Sequence, residues 1–237
     1  MTEPAEQSDR FVIWREVLLL WLVVLLGIRL IVFLQATFGL FEAVLVLVPL
    51  LFMYGPSYAL KRAGVDDATY PIWVPQFRDW PRWRAMLKIN AGAVVLISLP
   101  FFGLYHLYQT KVFGYSYTGN IPPEPLMLIG YHLFFVAIPE EIFYRGYMQT
   151  RLNGLFGKKW RVLGVQIGMG AVITSLLFAF GHSLVHFQWW HFSIFFPSLV
   201  FCWMREKSGG FMAGALFHAW SNVSVNWLDH LYGVIVP

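Results

Sequence analysis

Charge is scarce in this chain. Asp, Glu, Lys and Arg make up 13% of its 237 residues, against about 25% in a soluble domain. A surface that poor in polar groups cannot face water all round, which excludes an ordinary soluble fold. Cysteine is scarcer still: Cys202 stands alone, so no internal disulfide forms, and it lies in an apolar run without a placed base, which removes a cysteine nucleophile. No serine of the nucleophile-elbow type is found, and there is no His-Glu-x-x-His pair. The polar first ten residues are not followed by a short apolar region with a small-residue cleavage site, so the first apolar run reads as a retained span rather than a signal peptide. Internal repeats and low-complexity segments are lacking as well.

What fills the chain instead is hydrophobic residues, 58%, with 19% aromatic. Several runs reach the roughly 20 apolar residues needed to cross a bilayer. Spans are predicted over about 11–34, 40–60, 86–109, 126–152, 162–184, 191–204 and 211–231. The expected fold is all-α: a polytopic transmembrane bundle of seven helices, or eight, around a polar intramembrane cavity, in a single domain over 1–237. Pro49 and Pro56 are expected to kink the second span, which neighbouring helices tolerate. Between 61 and 86, Trp73, Phe77, Trp80 and Trp83 alternate with Arg78, Arg82 and Arg84. Such a mixture also suits single-stranded nucleic acid, but beside a span it reads as an interfacial belt facing the lipid bilayer, so no nucleic acid is expected. The net charge of +4 is read as positive-inside loops. With seven spans, Lys and Arg cluster on the side of the N-terminus while the other side holds only Lys111, which places the N-terminus in the cytoplasm.

Against this background some polar residues stand out. Pro139-Glu140-Glu141-Ile142-Phe143-Tyr144-Arg145-Gly146 puts two acids and a guanidinium inside an apolar run, where each charge costs roughly 2.5–3.5 kcal/mol at the least and needs a partner, a wet cavity or a function. Glu141 and Arg145, four apart, share a helix face. Glu140 is rotated about 100° from Glu141 and points elsewhere. One acid thus has a local counter-ion while the other is free to meet other helices; a structural ion pair with a spare acid is the plainer reading. His182 stands near the end of the fifth span in Phe178-Ala-Phe-Gly-His182, and His218 and Asn222 share one face of the seventh. Each alone reads equally well as a hydrogen-bonded core residue. As a set they make an acid–base constellation: a desolvated carboxylate and a histidine to activate water, and a His/Asn pair to donate to an oxyanion. His106, His132, His191 and His230 are placed at span ends, and Arg29 is left between Glu42 and the belt as partners.

Glu140-Glu-Ile-Phe-Tyr-Arg-Gly146, then Phe178-x-x-x-His182, then His218-x-x-x-Asn222 resemble the three-motif signature of the CAAX-protease and bacteriocin-processing (CPBP, or Abi) family of intramembrane endopeptidases, over about 125–228. The resemblance implies that Glu140 and His182 activate water, that His218 and Asn222 stabilise the oxyanion, and that Glu141 and Arg145 support the site. It implies a glutamate-type peptidase with no cofactor, acting on a membrane-associated peptide or protein, in the bacterial inner membrane. Two alternatives stay open. Zinc on His182 and His186, with i, i+4 spacing, makes a metalloprotease; a proton relay through the same Glu and His makes a transporter or scaffold. One expectation conflicts with the rest. At 1.5 Å per residue, Glu140 lies roughly 18 Å from the cytoplasmic end of its span and His182 near 30 Å along its own. A bend at Gly164, Gly168 or Gly170, or a span that starts deeper, has to close that gap.

Overall fold

Backbone N–H and C=O groups at bilayer depth have only one another for partners, so long apolar runs fold as helix. The computed structural model describes residues 3–39, 45–65, 79–185 and 187–234. Its helices are α1 (Glu3–Phe38), α2 (Leu47–Arg62), α3 (Trp80–Val112), α4 (Pro125–Phe156), α5 (Met169–Val185), α6 (Phe195–Ser208) and α7 (Met212–Leu231). Arg10–Phe38 within α1, together with α3 and α4, is long and apolar enough to cross a membrane, and α5 is a shorter apolar helix. The protein is an all-α integral membrane protein, with a helix among the described residues at each predicted span. The belt is divided: residues 66–78, with Trp73, Phe77 and Arg78, lie outside the described residues, as does Glu42. Trp80, Arg82, Trp83 and Arg84 form the first turns of α3. Asp79 caps that helix by accepting from the Arg82 amide at 3.2 Å, and the Arg84 guanidinium sits 5.4 Å from the Trp80 ring centre.

The fifth span is the expectation that needs correcting. Its first residues are a hairpin, β1 (Trp160–Val162) and β2 (Val165–Ile167), paired antiparallel with Trp160 opposite Ile167. Leu163 at φ 45° and Gly164 at φ 86° form the two-residue connection, the double positive φ that matches strand twist. α5 therefore begins at Met169, seven residues later than hydropathy places it.

Two prolines explain local widening of the long helices. Pro lacks the N–H and its ring presses on the carbonyl four residues back. Just before Pro100 the backbone takes π geometry over Val94–Ser98, and just before Pro139 over His132–Ala137. A further π stretch, Ile142–Met148, follows the acidic pair; such stretches recur at functional sites.

The chain forms two compact units. One comprises Met1–Val74 and Pro139–Gly214, the other Pro75–Ile138 and Ala215–Pro237. In the first, Val17, Trp21, Val24, Leu25 and Ile28 form the buried stripe of α1 and pack with Phe52 and Leu60 of α2, Phe143, Tyr147, Met148 and Leu152 of α4, and Phe178 of α5. At one end of this unit Glu206 accepts from Gln149 (2.9 Å), Asn153 (3.0 Å), Lys158 (2.5 Å) and Arg205 (2.6 Å), tying α4 to α6. In the second unit, Trp220 donates to Ser98 Oγ at 2.9 Å, Tyr105 donates to Asp229, and the Thr118 amide donates to the Leu231 carbonyl at 2.8 Å. An apolar cavity of about 680 Å³ lies among Phe102, Leu133, Trp220, Trp227 and Tyr232 of that unit.

Candidate active site

Glu141 and Arg145 are fully buried, and Arg145 donates to Glu141 at 2.8 Å. The i, i+4 pair expected from the spacing is therefore formed. Arg145 does more than pair. Its second nitrogen donates to Ser198 Oγ at 2.6 Å and to the Ser198 carbonyl at 3.2 Å. The guanidinium stands 4.6 Å from the Phe178 ring centre and 5.1 Å from that of Phe201. A dry cation costs several kcal/mol unless its donors and faces are satisfied; here a carboxylate, a hydroxyl and a carbonyl take its two terminal nitrogens and two rings flank it, while Nε has no hydrogen-bond partner among the described residues. Gly214 closes the pocket: a Cβ there would come within 2.9 Å of Glu141 Oε2.

Phe178 links this buried pair to His182. The two rings lie 4.6 Å apart, and His182 Nδ1 lies 2.9 Å from the Phe178 carbonyl. A carbonyl only accepts, so Nδ1 carries a proton, and in the neutral form of the ring Nε2 presents its lone pair. Glu140, next to the buried Glu141, is half-buried, as is His182.

The conflict over depth disappears with the corrected start of α5. Helices α4 and α5 run antiparallel and pack tightly at Gly170, where a Cβ would meet Asn153 and Leu152 at 2.5–3.0 Å. Tyr144 and Phe178, with ring centres 4.8 Å apart, hold the same register further along. His182 lies twelve residues beyond Gly170, about 18 Å along α5, and Glu140 twelve before Leu152 along α4, a run that the π stretch shortens somewhat. The two residues stand at one level.

His218, buried, and Asn222, half-buried, lie on one face of α7 in the second unit, and neither lines the apolar cavity there. His132, expected near a span end, is the eighth residue of α4 and lies close to His218. His191 does stand just before α6, in the turn Trp189–Ile194, but its ring also comes within 6.0 Å of that of His182, at 77°. Sequence reading missed it because a histidine between two apolar runs looks interfacial. Ser198 was missed as well, although a hydroxyl in the apolar run 194–204 is the same kind of signal that singled out the histidines. Among the described residues no three His, Cys, Asp or Glu side chains converge on a metal position; His186, the second zinc candidate, lies outside them.

The three sequence motifs and the Glu140–His182 level fall within a segment that a family model also picks out. Residues 122–224 match the type II CAAX prenyl endopeptidase Rce1-like family. No curated protein and no solved structure matches the chain. Residues 122–224 are thus a domain of this family of membrane proteases, matching the CAAX-protease (CPBP) resemblance of the three motifs.

Proposed function

We propose that the chain is a glutamate-type intramembrane endopeptidase that cuts a peptide bond near the terminus of a membrane-associated protein or peptide. The observation carrying this reading is the common level of Glu140 and His182, with Glu141 already committed to Arg145. Glu140 takes a proton from water while His182 Nε2 holds that water, and the oxygen attacks the scissile carbonyl carbon. His218 and Asn222 donate to the resulting oxyanion. The C–N bond then breaks as the proton held by Glu140 passes to the leaving amine. The positive-inside asymmetry supports an N-terminus in the cytoplasm, and the family's bacterial members support a bacterial inner membrane.

The test is cleavage of candidate membrane peptides by the purified full chain in liposomes, compared with Glu140→Ala, His182→Ala, His218→Ala and Asn222→Ala. Losing a general base or its partner is expected to cost about 10²–10⁴ in kcat. Full activity in the Glu140, His182 and His218 variants sinks the assignment. Activity lost to a chelator and restored by zinc replaces it with the metalloprotease reading. Ion movement without cleavage replaces it with the transporter.

A further inference from the structure

Arg29 is a cation within the apolar helix α1; of the partners foreseen for it, Glu42 and residues 66–78 of the belt lie outside the described residues. Its guanidinium donates to the carbonyls of Leu184 at 3.2 Å and Val185 at 2.9 Å. Val185 is the last residue of α5, the helix that carries His182. The last four carbonyls of any helix lack an intrahelical donor. In water they are solvated; in hydrocarbon each unsatisfied group costs several kcal/mol. A helix C-terminus also concentrates the negative end of the backbone dipole, which a cation offsets.

The same helix supplies a second cap. Arg10 donates to the Leu155 carbonyl at 3.1 Å, one residue before the end of α4 at Phe156. The two arginines are nineteen residues apart, about 28 Å along α1. α4 and α5 run antiparallel, so their C-termini lie at opposite ends of the pair. α1 thus gives one guanidinium to each. Between the caps, Gly181 is packed so closely that a Cβ would meet Leu25 at 3.4 Å and Tyr144 Oη at 3.0 Å, so α1 follows α5 up to its end.

We infer that Arg29 is a positioning residue for His182. His182 stands in the last turn of α5, the part of a helix that opens first. Arg29 holds that turn closed from α1 and so keeps the imidazole level with Glu140. This rests on the proteolytic reading of His182 given above.

The experiment compares Arg29→Met, Arg29→Lys and Arg10→Met in the purified full chain, reading peptide cleavage and amide hydrogen exchange of peptides covering 178–185 and 149–156. Arg29→Met is expected to lower kcat about 100-fold, the scale of an ångström-sized displacement of a catalytic group, with KM held within about twofold. Exchange should rise over 178–185 alone. Arg29→Lys, which keeps a donor, should recover part of the kcat. Arg10→Met should raise exchange over 149–156 and leave 178–185 as in the wild type. Wild-type kcat and exchange in Arg29→Met overturn the inference. So does a loss of kcat accompanied by faster exchange throughout, which makes Arg29 merely structural. A wild type that cleaves nothing sinks the proteolytic reading and with it this role for Arg29, while exchange still shows whether the cap exists.

Discussion

Ser198→Ala removes a hydroxyl and leaves a fully buried guanidinium one acceptor short. A hydrogen bond to a charged group contributes about 1.5–3 kcal/mol, so apparent thermal stability should fall by that order. Cleavage should fall with it, because Arg145 also fixes Glu141 and stacks on Phe178, the neighbour of His182. Ser198→Thr, keeping the hydroxyl, should recover most of the loss. A wild-type melting profile in Ser198→Ala would mean that the contact contributes nothing. At this scale, sequence reading located the charged core of the site, because charges in an apolar run are conspicuous and i, i+4 spacing fixes a shared face. It did not find Ser198 or His191. A serine is inexpensive in a helix and carries no charge to flag it, and the approach of His191 to His182 depends on the turn Trp189–Ile194, whose path no local pattern specifies.

The contact at Gly170 sets how α4 and α5 slide past one another. Alanine there would drive a Cβ to within 2.7 Å of the Asn153 backbone nitrogen, and backbone cannot step aside as a side-chain tip can. Gly170→Ala is therefore expected to separate the helices, lower stability by about 1–3 kcal/mol and reduce cleavage by shifting His182 from the level of Glu140. Gly154, the residue after Asn153 but outside the contact, has open space where its Cβ would be. Gly154→Ala should raise stability by up to about 1 kcal/mol through helix propensity. Opposite signs for two identical substitutions in one helix pair are the signature; equal signs would show that the contact does not set the register. Hydropathy misplaced this helix because Val162, Val165 and Ile167 are as apolar as a span. The period-2 alternation with Arg161 and Gln166 is too short to stand out, and Leu163 gives no sign of its positive φ. The seven-residue error, about 10 Å of helix, accounts for the depth conflict.

Orientation in the membrane follows from where the cations lie around α4. Beyond its C-terminus come Lys158, Lys159 and Arg161, and Arg151 stands in its last turns; before its N-terminus the connection from α3 carries no Lys or Arg, and Lys111 in the last turn of α3 is the nearest one. Basic connections stay in the cytoplasm because moving them across the membrane during insertion is disfavoured. The hairpin β1–β2 should then face the cytoplasm and the segment 113–124 the opposite side. Cys202 is fully buried, so single-cysteine labelling in intact cells needs no cysteine-free background. Lys159→Cys should react with an impermeant maleimide only after the membrane is opened, and Ser116→Cys, exposed in that segment, should react before. The reverse pattern would invert the protein and put the N-terminus outside. Equal labelling of both would contradict α4 as a span. That helix holds Glu140 and the buried Glu141–Arg145 pair in the bilayer, so the proposed site depends on the answer.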